Sequence, residues 1–162
     1  MSAKILPIKI YPDKILRQKA AKINRLDKKI QRLILDMGKT MLAKEGAGLA
    51  APQVGESIRL IVVNTKNGVL AMINPKITRR SWSKEPGEEG CLSLPDIIGQ
   101  VKRSKKIKVI YYNEDNKQIK LSAAGLFARV IQHEVDHLNG VLFIDYLKKK
   151  GLPAKFREQT LR

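Results

Sequence analysis

Across residues 26–44 the apolar positions Ile30, Leu33, Ile34, Met37, Met41 and Leu42 recur at helical spacing, and Asp27 stands where an N-cap belongs. The pattern predicts an amphipathic helix packed on a core. A second helix follows from Leu126, Val130, Ile131, Val135 and Leu138, with Ser122 as its cap and Asn139-Gly140 as its stop. Between them, residues 59–64 and 69–73 are β-rich runs joined through Asn67-Gly68, a hairpin signal. Ile107, Val109 and Tyr111 alternate with Lys106, Lys108 and Ile110, and the turn at residues 113–116 leads into 118–121, a second hairpin. Residues 5–10 carry Pro7 and read as an edge strand or extended lead-in, followed by a turn at Pro12-Asp13 into a short helix. Two stretches read as irregular: residues 45–53, broken by two glycines and a proline, and residues 81–95, rich in Gly, Pro, Glu and Ser. Hairpins plus two separate helices predict an α+β fold, with antiparallel hairpins and small sheets packed around a central helix.

Length and composition add limits. The 162 residues, 43% of them apolar, suit one domain with a packed core, expected over residues 1–147, followed by a short basic tail at 148–162. No apolar run approaches the roughly 20 residues of a membrane span, and residues 1–12 lack the apolar segment of a secretory signal, so a cytoplasmic protein with no membrane partner is expected. The 32 Lys and Arg against 15 Asp and Glu give a net charge of +17. That excess draws anionic partners, nucleic acid above all, although it says nothing about fold. One cysteine excludes an internal disulfide, so Cys91 is a buried small apolar group or a reactive or metal-bound thiolate.

The only two histidines stand in His133-Glu134-Val-Asp-His137, within the second predicted helix. Residues four apart share a helix face, so both imidazoles can reach one metal ion while Glu134 acts on a water beside it. A catalytic metal commonly takes three protein ligands and keeps one open position. Downstream there is no further histidine, and the one glutamate, Glu158, lies in the polar tail. Upstream, Cys91 in a glycine-flanked segment offers the third ligand.

Three segments in this order, Gly46-Ala-Gly-Leu-Ala-Ala-Pro-Gln53, Glu89-Gly-Cys-Leu-Ser-Leu-Pro95 and Gln132-His-Glu-Val-Asp-His137, closely resemble the peptide deformylase family. The likeness extends from Pro12-Asp13 through Leu138-Asn-Gly-Val-Leu-Phe143, nearly the whole chain. It implies removal of the N-formyl group from the initiator methionine of nascent polypeptides, releasing formate. By position it implies Cys91, His133 and His137 as metal ligands, Glu134 as general acid and base, and Gln53 with the Leu92 backbone N–H as oxyanion donors. Gly48 falls in the loop that pairs with the substrate backbone, and Leu126 and Val130, one or two turns before His133, are placed to line a methionine pocket. The implied cofactor is one divalent ion, Fe(II) natively, with Zn, Ni or Co as alternatives. Where the family often carries an arginine after the cysteine motif, this chain has Ile97-Ile98-Gly99-Gln100.

Two other readings compete. A zincin-type peptidase shares the helical motif but takes its third ligand downstream. A basic RNA-binding protein with a structural metal would need four protein ligands and no adjacent glutamate, and its aromatic content of 5% is low for base stacking. The charge itself gathers in two clusters, Lys102, Arg103, Lys105, Lys106 and Lys108, and Lys148, Lys149, Lys150, Lys155, Arg157 and Arg162. A deformylase meets chains as they leave the ribosome, so weak association with ribosomal RNA through these clusters is expected.

Overall fold

The computed structural model describes residues 2–147 and 152–157. The helix read from residues 26–44 is α1, Lys28–Ala43, and the Asp27 side chain caps it by accepting the Ile30 N–H at 2.9 Å. β1 is Gly48–Ala50, β2 Leu60–Thr65 and β3 Gly68–Arg80. β4, Lys84–Cys91, and β5, Leu94–Ser104, form a two-stranded ribbon. β6, Lys106–Tyr112, and β7, Gln118–Ala124, close an antiparallel five-stranded sheet ordered β1-β2-β3-β6-β7. α2, Gly125–Leu138, follows at once, and the short α3, Ala154–Arg157, comes last among the described residues.

Why β2 reads as an unbroken apolar run is plain from its packing. Leu60 and Val62 meet Met37 and Met41 of α1, while Ile61 and Val63 meet Ile131 and Val135 of α2. A strand covered on both faces needs apolar side chains on both. β6 alternates instead, because only Ile107, Val109 and Tyr111 are buried on the α2 side. A third cluster joins Leu16, Leu94, Val101 and Phe143, and against it are buried Leu152 and Phe156, which fall inside the stretch expected as a basic tail.

Of the two forms expected for residues 5–10, the chain takes the extended lead-in, whose Lys9 N–H donates to the Gln53 carbonyl at 2.7 Å. Three other local readings are corrected. Residues 45–53, read as a loop, contain β1, whose three residues are too few to show a period and are held by pairing with β2. Residues 81–95, read as irregular, supply β4 and the start of β5. Their composition has a packing cause: a Cβ at Gly87 would lie 2.6 Å from Cζ of Arg129, so glycine is what lets that guanidinium cross the strand. Ser122 is not a cap; it lies in β7 opposite Lys108, and α2 begins at Gly125 after Ala124 with no side-chain cap. No helix among the described residues is long and apolar enough to cross a membrane.

Asp27→Ala removes the α1 cap and is expected to lower stability by about 1 kcal/mol. Urea unfolding followed by circular dichroism measures it, and an unchanged midpoint would show that α1 is held by packing alone.

Candidate metal and catalytic site

Three elements converge on one cavity of about 360 Å³. The end of β4 brings Cys91, the buried face of α2 brings His133, Glu134 and His137, and the 3-10 turn Ala51–Val54 after β1 brings Gln53. Helical spacing does for the two histidines what the sequence implies, since residues four apart stand one above the other. The ligand atoms of Cys91, His133 and His137 all lie within 4.8 Å of one another, with Sγ of Cys91 3.3 Å from Nε2 of His137. Gln53 is fixed by its amide oxygen, which accepts the Ala50 N–H at 2.9 Å. Its Nε2 therefore points at Sγ of Cys91, 3.4 Å away, and at Oγ of Ser93, 3.2 Å away. Leu92 stands in the tight turn between β4 and β5 on the cavity wall, as do Gly48, Leu126 and Val130. Leu126 is 73% exposed at the rim, and Val130 is half-buried deeper in.

At Gly48 the backbone comes close against the Glu134 side chain. A Cβ there would stand 2.8 Å from Cγ and Oε1 of Glu134 and 2.9 Å from Cγ1 of Val130, so only glycine fits.

Electrostatics decide the state of these groups. Burial pushes the Glu134 carboxyl up to about 7, against the opposing pull of His133. Its Oε2 is buried with no hydrogen-bond partner. Burial opposes a charge on His133, but hydrogen bonds with Cys91 and Glu89 outweigh it and raise it to about 10. Burial and the neighbouring His133 both push His137 well below the usual imidazole range. The cluster therefore attracts one positive charge between a sulfur and two ring nitrogens. Sulfur and imidazole donors together suit a borderline or soft divalent metal, so the residues fit the cofactor that their pattern implies.

Behind the ligands lies an ion network that sequence reasoning missed. Glu89 accepts from Nδ1 of His133 at 2.9 Å, fixing that ring with its other nitrogen toward Cys91. Burial alone would raise the Glu89 carboxyl, yet hydrogen bonds from Arg103 and His133 bring it down to about 2. Arg103 donates to both carboxylate oxygens, at 2.8 and 3.0 Å, and to Asp136 at 2.6 Å. Arg129 adds a further bond to Glu89 at 2.9 Å and ties down the Val101 and Glu85 carbonyls. One signal was available: Arg129 sits four residues before His133, on the face of α2 that faces the core, and a buried cation demands a carboxylate partner. Arg103, counted in the sequence with a surface cluster, is 5% exposed and belongs to this network instead. Asp136 reaches the site through Arg103, whereas Gln132 ties α2 to the backbone of Ser104 and touches no ligand.

The match to known proteins is consistent along the chain. The pattern of the polypeptide deformylase family covers residues 5–152. This chain belongs to that family. A peptide deformylase of Desulfotalea psychrophila is 44% identical over 159 residues, spanning 93% of this chain and 94% of that one. The crystal structure of peptide deformylase from Thermotoga maritima superposes with a TM-score of 0.87 at 43% identity, over 89% of this chain and 98% of that one. A peptide deformylase from Synechococcus elongatus, solved in complex with actinonin, gives a TM-score of 0.86 at 40% identity, over 96% and 84% of the two chains. Polypeptide deformylases are metal-dependent hydrolases that remove the N-formyl group of nascent peptides. The α+β architecture expected from the sequence is the one these neighbours share.

Arg103→Leu takes the shared cation from two buried carboxylates, leaving Glu89 with Arg129 and His133 and Asp136 with the Tyr146 hydroxyl, and a loss of stability of about 3 kcal/mol is expected. Chemical denaturation at neutral pH measures it; a loss below about 1 kcal/mol would mean that Glu89 and Asp136 are compensated without Arg103.

Proposed function

We propose that the chain deformylates the amino-terminal formyl-methionine of new polypeptides, with Cys91, His133 and His137 holding one divalent metal ion. The observation that carries this is the convergence of one thiol and two imidazoles within 4.8 Å beside a buried glutamate whose Oε2 has no partner. Fe(II) is the native ion in this reading, with Zn, Ni or Co able to occupy the same donors. Bound there, the ion supplies Lewis acidity and brings the pKa of water toward neutrality.

The chain's own residues do the rest. Glu134, with its carboxyl near 7, takes a proton from the attacking water as the new C–O bond forms at the formyl carbon. It returns a proton to the amine nitrogen as the C–N bond breaks, leaving formate and a free amino terminus. Charge on the formyl oxygen is met by Nε2 of Gln53, oriented by its bond from Ala50, and by the Leu92 N–H. β1 is an edge strand, paired only with β2, so the substrate backbone adds along its open side next to Gly48. Leu126 and Val130 form an apolar wall for the methionine side chain. The close approach of Gly48 to Glu134 leaves space for the smallest acyl group and excludes larger ones.

Surface charge belongs to the same reading. Lys102, Lys105, Lys106 and Lys108 are exposed, and weak ribosome association places the enzyme where formylated chains emerge. Most of the second cluster, Lys148 to Lys150 and Arg162, lies outside the described residues.

Glu134→Gln, prepared anaerobically with metal, is expected to keep a stoichiometric ion while deformylation of a formyl-Met peptide falls by about a hundredfold or more. Near-normal turnover in the metal-loaded variant would remove Glu134 from its role. For the ribosome, co-sedimentation is expected at low salt and lost steeply as salt rises; absence of binding at low salt would overturn it.

A further inference from the structure

The five-stranded sheet is covered unequally. α2 packs on one face along β2, β3, β6 and β7, while α1 covers the opposite face chiefly over β1, β2 and the first half of β3. Beyond α1 no described residue covers that face, and strand register sets cations across it. Arg79 of β3 lies opposite Lys108 of β6, and Lys108 lies opposite Ser122 of β7. Ile110 pairs with Lys76 on one side and Lys120 on the other, and Lys106 pairs with Ala124. Directly paired residues share a face, and Lys106, Lys108 and Ile110 alternate with Ile107, Val109 and Tyr111, which point to the core. Lys76, Arg79, Lys106, Lys108 and Lys120 are thus exposed together on one surface. Among the described residues none of the five is in an ion pair.

Two adjoining depressions, of about 290 and 320 Å³, cross this surface with Lys108 and Ser122 between them, and neither is lined by a carboxylate. Next in sequence after Ser81, which lines the first of them, comes Trp82, 100% exposed. Its loop is not slack. Ser81 N–H donates to the Lys106 carbonyl at 2.9 Å, Lys105 N–H to the Ser83 carbonyl at 3.0 Å, and Lys106 N–H to Oγ of Ser81 at 3.1 Å. The backbone on either side of Trp82 is thus fixed, while its indole lies wholly in water and contributes nothing to the core, so the fold does not account for it.

We propose that this face, together with Trp82, binds single-stranded RNA. It carries the ribosome reading further, from total charge to a named surface and a named polymer. The chemistry favours this occupant. Unpaired cations follow a phosphate backbone, a free indole stacks on unpaired bases, which a duplex withholds, and the exposed Ser122 hydroxyl can meet a 2′-hydroxyl. A lipid surface would call for several exposed apolar side chains to insert, and here there are one indole and a half-buried Ile110 among cations. The face lies on the far side of the sheet from α2, so an occupant leaves the catalytic cavity open.

Trp82 is the single tryptophan of the chain, so its fluorescence reports on this surface alone. Titrating the full chain with oligouridylate of about 10 nucleotides is expected to quench it saturably. The log–log salt slope should be about −3, as for about 4–5 phosphate contacts on a single strand. Trp82→Ala, followed by anisotropy of labelled RNA, should bind about tenfold more weakly. Arg79→Glu with Lys108→Glu should flatten the slope by about 1, while deformylation of a formyl-Met peptide stays unchanged in both variants. Should the double variant fail to fold, Lys120→Gln is expected to flatten the slope by a smaller step. Absence of quenching at low salt, or equal affinity after Trp82→Ala, overturns the proposal. Tighter binding of oligodeoxythymidylate, or equal quenching by polyglutamate or phosphatidylserine vesicles, also overturns it. Ribosome co-sedimentation without oligonucleotide binding would overturn this face alone and leave the ribosome reading standing, and inactivity toward the formyl peptide would instead count against the deformylase reading.

Discussion

The carboxylate of Glu89 is the point on which the site depends. It is 6% exposed, and it receives Arg103 through two bonds, Arg129 through one and Nδ1 of His133 through another. An ion buried to that depth costs several kcal/mol unless its partners are complete and well aligned. Here they are drawn from β5 and from two successive turns of α2, so satisfying one charge fixes the ribbon against the helix. The orientation of the His133 ring is a by-product of that settlement. The geometry of the candidate metal ligands is thereby tied to the stability of the domain rather than left to a mobile side chain.

The same economy of space governs the reacting side. Glu134 needs a dry surrounding to hold its carboxyl near neutrality, and the chain supplies it by bringing the backbone of Gly48 against the side chain. That closeness also sets the edge strand β1 along the cavity, so the element that dries the acid also presents an open strand edge beside it. Gln53, three residues past the end of β1, is oriented by its bond from the Ala50 N–H, and one short segment thus positions three features at once.

Among the described residues α1 covers one half of that face of the sheet and nothing covers the other, which separates the cavity from a cationic face. The positive charge does not crowd the site, where Glu45, Glu88, Glu89 and Glu134 line the cavity together with Arg129, whose charge is spent on Glu89. It collects where α1 ends.

Both long helices, both hairpins, the α+β class and the cluster of Cys91, His133 and His137 were legible in the sequence. Helical period, strand alternation, caps and the spacing of two histidines are local properties, set by backbone geometry over a few residues. The uncapped start of α2, the strand β1 and the β4–β5 ribbon were not, because each exists through a partner far along the chain. Gly87 looks like a breaker until Arg129, 42 residues later, is seen to need its space. Arg103 looks like one more surface lysine-rich cation until it is found between Glu89 and Asp136. What the sequence determined by itself was which groups are candidates for the chemistry; what the tertiary structure decided was which charges are buried together, since burial depends on contacts across the whole chain and a lone charge is tolerated only where its partners happen to meet it.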